Sequence, residues 1–433
     1  MKRKRVLPKG WKEITIGEVF KTGSGGTPLS TNKEYYEGGT IPWINSGELN
    51  QNYIDKTDNY ISDLGLNNSS AKVFPKGTVL IAMYGATAGK TSLLNIDACT
   101  NQAICAILEN PDYSNLFLKY NLENLYEYLV NTSSGSARDN LSQEGIAKLS
   151  LYFPKERELQ EKLINVLKII DQKIIVNTRI NAELEAMAKQ LYDYWFVQFD
   201  FPDENGNPYK SSGGKMVYNP TLKREIPAGW EVTSIGDLIT TERGISYSTP
   251  NISSGNGVPM LNLATFMPGG GDYKASGLKH YLGDYPTSKV LKPYDLIMCN
   301  TQQTAIKFET DIIGRAMLVP DIFEGDIVFS HHVNIIKTKN DDLKYYLLYL
   351  FNSDYYHKYI SGYTNGTNIL GLSFNGVSEY NQEIPPDAIL KQFASLILDV
   401  AKKKSLIFKE SSNLTHLRDS LLPMLMNGQV TVE

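Results

Sequence analysis

The run from Lys155 to Phe196 holds 42 residues without a proline or a glycine, and no other stretch restricts the fold as strongly. With no helix breaker inside it, one long helix is expected. Alternating gaps of four and three from Leu159 pick out Leu163, Val166, Ile170, Lys173, Asn177, Ile180, Leu184, Met187, Leu191 and Tyr194, a seam interrupted only by Lys173 and Asn177. A stripe this narrow, repeating every 3.5 residues, calls for a partner helix. The same rhythm returns between Asp387 and Met426 through Leu390, Phe393, Ile397, Val400, Lys404, Ile407, Ser411, Leu414, Arg418, Leu421 and Leu425. Lys404 lies 231 positions after Lys173, so both seams are interrupted alike. The alternative is two unrelated amphipathic helices, each packed on its own globular domain. The second helix is expected to fail near Pro423 and to end by Asn427-Gly428, a suitable cap.

The helices are part of a larger repeat. Leu7-Pro-Lys-Gly-Trp-Lys-Glu-Ile-Thr-Ile-Gly returns as Ile226-Pro-Ala-Gly-Trp-Glu-Val-Thr-Ser-Ile-Gly, 219 positions later. Ile41-Pro-Trp-Ile-Asn45 answers Val258-Pro-Met-Leu-Asn262, Thr78 to Ala82 answers Tyr294 to Met298, and Gly89-Lys-Thr answers Gly314-Arg-Ala. Gly135-Ser136 with Leu141-Ser142 matches Gly366-Thr367 with Leu372-Ser373, now at an offset of 231. Each copy then reaches a proline, Pro154 or Pro385, and a long helix. The growing offset places net insertions in the second copy, between shared anchors. Short β-branched runs (Val79 to Ala82, Ala103 to Leu108, Val333 to Ile336) alternate with Gly/Asn/Ser turns and short helices at Leu116 to Leu129 and Leu343 to Leu350. The expected class is α+β. The expected division is a globular domain at 1–153, a helix at 154–200, a linker or surface loop at 201–225, a second globular domain at 226–385 and a final helix at 386–433.

Three cysteines, Cys99, Cys105 and Cys299, form no C-x-x-C pair, which fits a reducing cytoplasm and offers neither a disulfide framework nor a thiolate metal site. The basic start, Met1-Lys-Arg-Lys-Arg5, leads into no apolar segment, and no run is long enough to span a membrane. A net charge of −4 means that any binding of nucleic acid must rest on local patches or on basic partners.

Catalytic motifs are weak. Gly85-Ala-Thr-Ala-Gly-Lys-Thr91 falls one residue short of the phosphate-binding loop, and its counterpart Gly314-Arg-Ala lacks the Ser/Thr, so a turn between two strands is the better reading. Asp112 with Asp171 and Lys173 makes no credible nuclease set, because Asp171 and Lys173 belong to the long helix. His331-His332, aligned with Asn101-Gln102 of the first copy, would point to opposite faces of a strand and suits hydrogen bonding at the mouth of the domain better than a metal. No glycine-rich cofactor loop or methyl-transfer motif is visible, so no metal and no cofactor is expected in this chain.

Two diverged copies of a recognition-sized domain, each opened by a Pro-x-Gly-Trp segment and closed by a Gly-Ser/Thr, Leu-Ser and Pro stretch plus a long helix, resemble the specificity subunit of type I restriction-modification enzymes. The resemblance covers essentially the whole chain. It implies two homologous target recognition domains, each reading one half of a bipartite double-stranded DNA site. It also implies that the two long helices separate those domains as an antiparallel coiled coil, in a pseudo-two-fold repeat. The coil, with Leu163, Ile170, Asn177, Leu184 and Leu191 against Leu390, Ile397, Ile407, Leu414 and Leu421, would dock two methyltransferase subunits. Catalysis would lie outside this chain, with S-adenosylmethionine, ATP and Mg²⁺ used by the methyltransferase subunits and by the ATP-dependent restriction subunits. Candidate DNA contacts, chosen because Arg and Lys suit guanine edges or phosphates and Asn and Gln suit adenine, are Lys33, Asn45, Lys90, Gln102, Arg138, Arg243, Asn262, Gln302, Gln303, Lys307, Arg315 and Asn368. Two other readings stay open on the residues alone: a scaffold binding proteins or glycans, and an enzyme using Gly85 to Thr91 for nucleotide.

Overall fold

The computed structural model describes residues 7–134, 141–303 and 308–430. The chain divides into two compact units, residues 1–174 with 413–433 and residues 175–412. Among the described residues no helix is long and apolar enough to cross a membrane.

In the first unit, Trp11–Thr15 pairs antiparallel with Ser150–Pro154, so the Pro-x-Gly-Trp opening lies against the strand that precedes the long helix. Inside this clasp, a five-stranded sheet runs in the order Thr22–Ser24, Ile104–Ile107, Val79–Ala82, Thr91–Leu94, Tyr53–Ile54. A four-stranded sheet follows the order Tyr60–Ile61, Ile41–Ile44, Ala98–Thr100, Val73–Phe74. Alternation along a strand explains why Val-Leu-Ile-Ala is apolar throughout. Leu80 and Ala82 face Ile44, Phe74 and Ala98, whereas Val79 and Ile81 face Phe117, Phe153, Leu163 and Leu167. The expected helix from Leu116 to Leu129 is two helices, Asn115–Asn124 and Tyr126–Ser134, parted at Leu125.

The second unit repeats this plan. Glu231–Ser234 pairs with Asn381–Ile384, and Ile239–Arg243, Val333–Thr338, Leu296–Cys299 and Ala316–Leu318 form a sheet in the same relative order as their counterparts. Val258–Leu261 again pairs parallel with the strand before the turn, Ile327–Phe329. Register corrects two of the sequence alignments by one residue. Ser24 pairs with Cys105 and Arg243 with Asn334; the Gly26 N–H bonds to the Thr100 carbonyl and the Ile245 N–H to the Phe329 carbonyl. Gln102 therefore corresponds to His331, and Thr78 to Asp295. Homologous turns of different length hide such slips from sequence comparison.

The segment 201–225 is not a free linker. Phe201 stacks on Tyr209 at 4.6 Å and lies 5.3 Å from Trp230, and Asp200 accepts from both the N–H and the hydroxyl of Ser211. A hairpin, Met216–Asn219 with Arg224–Pro227, begins inside it. The aromatic residues have apolar area to bury, which overrides the loop-forming composition.

The long helix runs Arg157–Tyr192 and widens into a π turn at Asp193–Val197. Asp387–Met426 forms the second, and every residue of its expected seam is buried or half-buried. The first seam holds at Leu163, Ile170, Asn177, Leu184 and Leu191 but drifts at the alternate positions. Ile180 is 36% and Met187 63% exposed, while their neighbours Asn181 and Ala188 are 7% and 2% exposed. The helix buries an arc shared between its partner helix and its own globular unit, where Ala188, Tyr192 and Trp195 join Tyr346, Tyr349 and Phe393. Pro423 does not end the second helix, since it stands in the last turn and removes a single donor. The cap falls at Gly428 (φ +64°), whose N–H bonds to the Leu425 carbonyl and where a Cβ would run into Pro8 and Trp11.

Candidate nucleic-acid interface

In each unit the strand register gathers several turns at one end. In the first these are the segments after Ser24, after Ile44, between Ala82 and Thr91, and between Thr100 and Ile104. The backbone there is tightly held. A Cβ at Gly25 would lie 1.9 Å from the Thr100 carbonyl oxygen, and one at the equivalent Gly244 would lie 2.3 Å from that of Phe329. Only glycine permits these crossings.

Asn45 and Asn262 prove to be part of the frame. Each caps a 3₁₀ turn, the Asn45 amide donating to Glu48 at 3.0 Å and that of Asn262 to the Gly277 carbonyl at 3.0 Å. Asn262 is 2% exposed and cannot reach DNA. Arg315 is also withdrawn, at 3% exposure: it donates to the Asn352 carbonyl, lies 3.6 Å from Asp354, and burial pulls its pKa below the ordinary value. Gln302 is buried and accepts from the Ile312 N–H. All four were selected by residue type, and the helix and loop that pack over Arg315 and Gln302 are not legible locally.

Lys33, Lys90, Gln102, Arg243 and Asn368 stay accessible. Lys33 opens a 3₁₀ turn, Asn368 lies in the turn before Ile369–Leu372, and Lys90 extends its ammonium over the Tyr126 ring at 4.2 Å. Gln303 closes the strand Thr301–Gln303, paired with Ile369. Arg138 and Lys307 lie outside the described residues. Gln102 is exposed, and its Oε1 accepts from the Thr27 hydroxyl at 2.6 Å. Arg243 is exposed, and its Nε donates to the His331 carbonyl at 2.6 Å.

Around Arg243 the structure assembles a cluster that residue type alone missed. His331 and His332 occupy a turn rather than a strand, so their rings lie side by side at 3.9 Å instead of pointing apart. Tyr247 flanks His331 at 5.3 Å, and Asn300 donates to the His331 carbonyl at 3.1 Å. Burial, then the charges of His331, Arg243 and Lys279, press the His332 pKa down to about 4, so its imidazole is neutral near pH 7. The adjacent histidines were the available signal.

The arrangement does not support the other chemistries. The turn Gly85–Lys90 joins two strands, and its Ala88, Gly89 and Lys90 N–H groups bond to carbonyls of Gly85, Ala82 and Thr87 and are not directed at a phosphate. Asp171 is buried and accepts from Tyr120 at 2.7 Å and Arg418 at 3.2 Å, a structural role. Among the described residues no group of three or more His, Cys, Asp or Glu side chains could hold a metal ion.

The duplication, its two registers and the divergent turns match a known pattern in sequence. The type I restriction modification DNA specificity domain family matches residues 8–186 and again residues 227–415. The chain belongs to this family. As a specificity subunit it is the non-catalytic, DNA sequence-recognising component of a type I restriction-modification system. It is similar to the MjaIX type I restriction enzyme specificity subunit of Methanocaldococcus jannaschii, 27% identical over 99% of this chain and 95% of that one. It is also similar to the HindI specificity subunit of Haemophilus influenzae, 21% identical over 97% and 99% of the two chains. The fold matches the crystal structure of a type I system S subunit from M. genitalium at a TM-score of 0.53, with 15% identity and 98% of each chain covered. Family membership leaves the glycan- or protein-binding scaffold without support.

Proposed function

We propose that each globular unit of this specificity subunit reads one half of a bipartite double-stranded DNA site, and that the long helices space the readers and dock two methyltransferase subunits. Restriction subunits would join that core in the cytoplasm, and S-adenosylmethionine, ATP and Mg²⁺ would serve the partner subunits. The observation that carries the reading is a shared backbone register with different side chains at corresponding positions, Ser24 and the exposed Gln102 in one unit against the exposed Arg243 and the half-buried His331 in the other. Lys33, Lys90 and Asn368 remain candidates for phosphate or base contact.

Docking draws support from a second apolar stripe on the first long helix. Ile169, Val176, Ile180 and Met187 follow gaps of seven, four and seven, a coiled-coil rhythm, and all are exposed. Leu406 and Leu417 are exposed likewise on the second helix. Helices of a methyltransferase subunit fit such a surface better than water does.

The test is domain replacement in the assembled methyltransferase. Exchanging residues 8–153 for the first domain of a relative should change one half of the methylated site and leave the other half intact. A change in both halves, or none in an active complex, would overturn the modular reading.

A further inference from the structure

The two units differ most at the turn-bearing end, and the chain lengthens there. The offset between copies is 217 where Ile81 and Met298 correspond and 225 where their partners Thr91 and Ala316 correspond, so the second unit carries eight additional residues in that turn. Part of the added chain forms Thr301–Gln303, which pairs with Ile369–Leu372. Beside these turns lie equivalent positions with unlike chemistry: Ser24 against Arg243, Gln102 against His331, and Ala103 against His332.

Resting on the proposed reading of DNA, we infer that Gln102 reads an adenine in one half-site and that Arg243, held by His331, reads a guanine in the other. Each side chain is anchored by one atom and presents the rest. Thr27 occupies one lone pair of the Gln102 Oε1, which sets the amide plane and leaves the second lone pair and the Nε2 donors to meet adenine N6 and N7. The Nε of Arg243 is bound to the His331 carbonyl, which fixes the guanidinium and leaves both terminal nitrogens for the bidentate pattern of guanine O6 and N7. Gly25 and Gly244 keep the supporting backbone from shifting, since each lies in contact with the strand that leads into the turn. The neutral His332 beside Arg243 adds no competing positive charge near pH 7. Asn45, Asn262 and Arg315, by contrast, are committed to internal bonds.

The experiment uses the full chain co-expressed with its methyltransferase subunits, and maps methylated bases for the parent, Gln102→Ala, Arg243→Lys and Arg243→Ala. A defined bipartite site in the parent upholds the underlying reading independently of the inference; its absence would refute that reading itself. The expected result is that Gln102→Ala relaxes one A·T position in one half-site by ten-fold or more. Arg243→Ala should relax one G·C position in the other half-site to a similar extent, and Arg243→Lys the same position by less, since the ammonium can still donate to guanine without the guanidinium's two-pronged geometry. Arg243→Ala removes every donor, so an unchanged word in an active complex of that variant would mark a phosphate or structural role and overturn the guanine assignment. Uniform weakening without a change of word, or both changes falling in the same half-site, would overturn the inference as a whole.

Discussion

Replacing Lys404 by Met should loosen the second recognition unit from its own helices. The Lys404 ammonium lies 2.6 Å from Glu185 and 2.9 Å from Asp272, with side-chain exposures of 10%, 29% and 26%. Asp272 is presented by the turn Gly269-Gly270-Gly271, where all three residues hold φ near +82° to +83°, a conformation that costs glycine little. One cation thus joins the first long helix, the second and a loop of the globular unit. Removing one partner of a fully buried ion pair costs about 3–5 kcal/mol; with the carboxylates about a quarter exposed, about 2–3 kcal/mol is expected. Burial raises the Glu185 pKa, with Lys404 partly offsetting it, and loss of the ammonium would raise it further. A carboxyl whose folded pKa exceeds its unfolded value gains stability as pH falls through the folded value, so the defect should shrink on acidification. For Lys404 itself burial acts downward, but the two carboxylates outweigh it and raise its pKa; its contribution is complete below about pH 10.5 and is lost above. Because the chain has two units, a single unfolding midpoint is not the right readout. Hydrogen exchange over residues 266–274 should accelerate in the variant by about thirty-fold or more at pH 7 and by less at pH 5, relative to the parent at each pH. Equal exchange in variant and parent at pH 7, or a defect that grows with acid, would refute the argument.

Three further outcomes are expected. Asp171→Ala, which leaves the Tyr120 hydroxyl and Arg418 without their shared acceptor, should destabilise the first unit by about 2–4 kcal/mol, measured by hydrogen exchange in Asn115–Asn124. Because His332 titrates near 4 when folded and near 6.5 when unfolded, its neutral state stabilises the second unit fully above about pH 6.5 and progressively less down to about pH 4. His332→Gln should flatten that limb of a pH–stability profile. Inserting four residues after Ile180 adds about 6 Å of helix, so the unspecified gap in the methylated site should lengthen by about one or two base pairs with both half-site words unchanged.

Much of the architecture was legible because it rests on patterns that backbone physics enforces. The absence of Pro and Gly over the first helix, the recurrent Pro-x-Gly-Trp and the Asn45/Asn262 match each correspond to an observed element. Misreadings arose where tertiary packing decides. Ile180 and Met187 satisfy a 3.5-residue rhythm, yet a globular unit beside the helix turns the buried arc toward Asn181 and Ala188. Asn262, Gln302 and Arg315 have side chains suited to DNA, and the fold uses all three internally. The one-residue slip at His331 came from homologous turns of unequal length, which only hydrogen-bond register resolves.

That slip also shows how a duplicated scaffold can acquire a second word. Residues that fix the backbone tolerate little change: Gly25 and Gly244 each have a carbonyl within 2.3 Å of where a Cβ would stand, and Asn45 and Asn262 each cap the turn that follows their strand. Side chains between these fixed points contribute little to either core. Thr27 with Gln102 can therefore be exchanged for Arg243 with two histidines, and eight residues can enter the neighbouring turn, while the pairing of the strands that carry them is preserved. The Gly89/Gly314 pair limits the insertion from the far side, since both donate to the carbonyl at the end of the preceding strand, Ala82 or Cys299, and close the loop at the same place. The largest difference in length between the units, eight residues, thereby falls in the turn between these two fixed points.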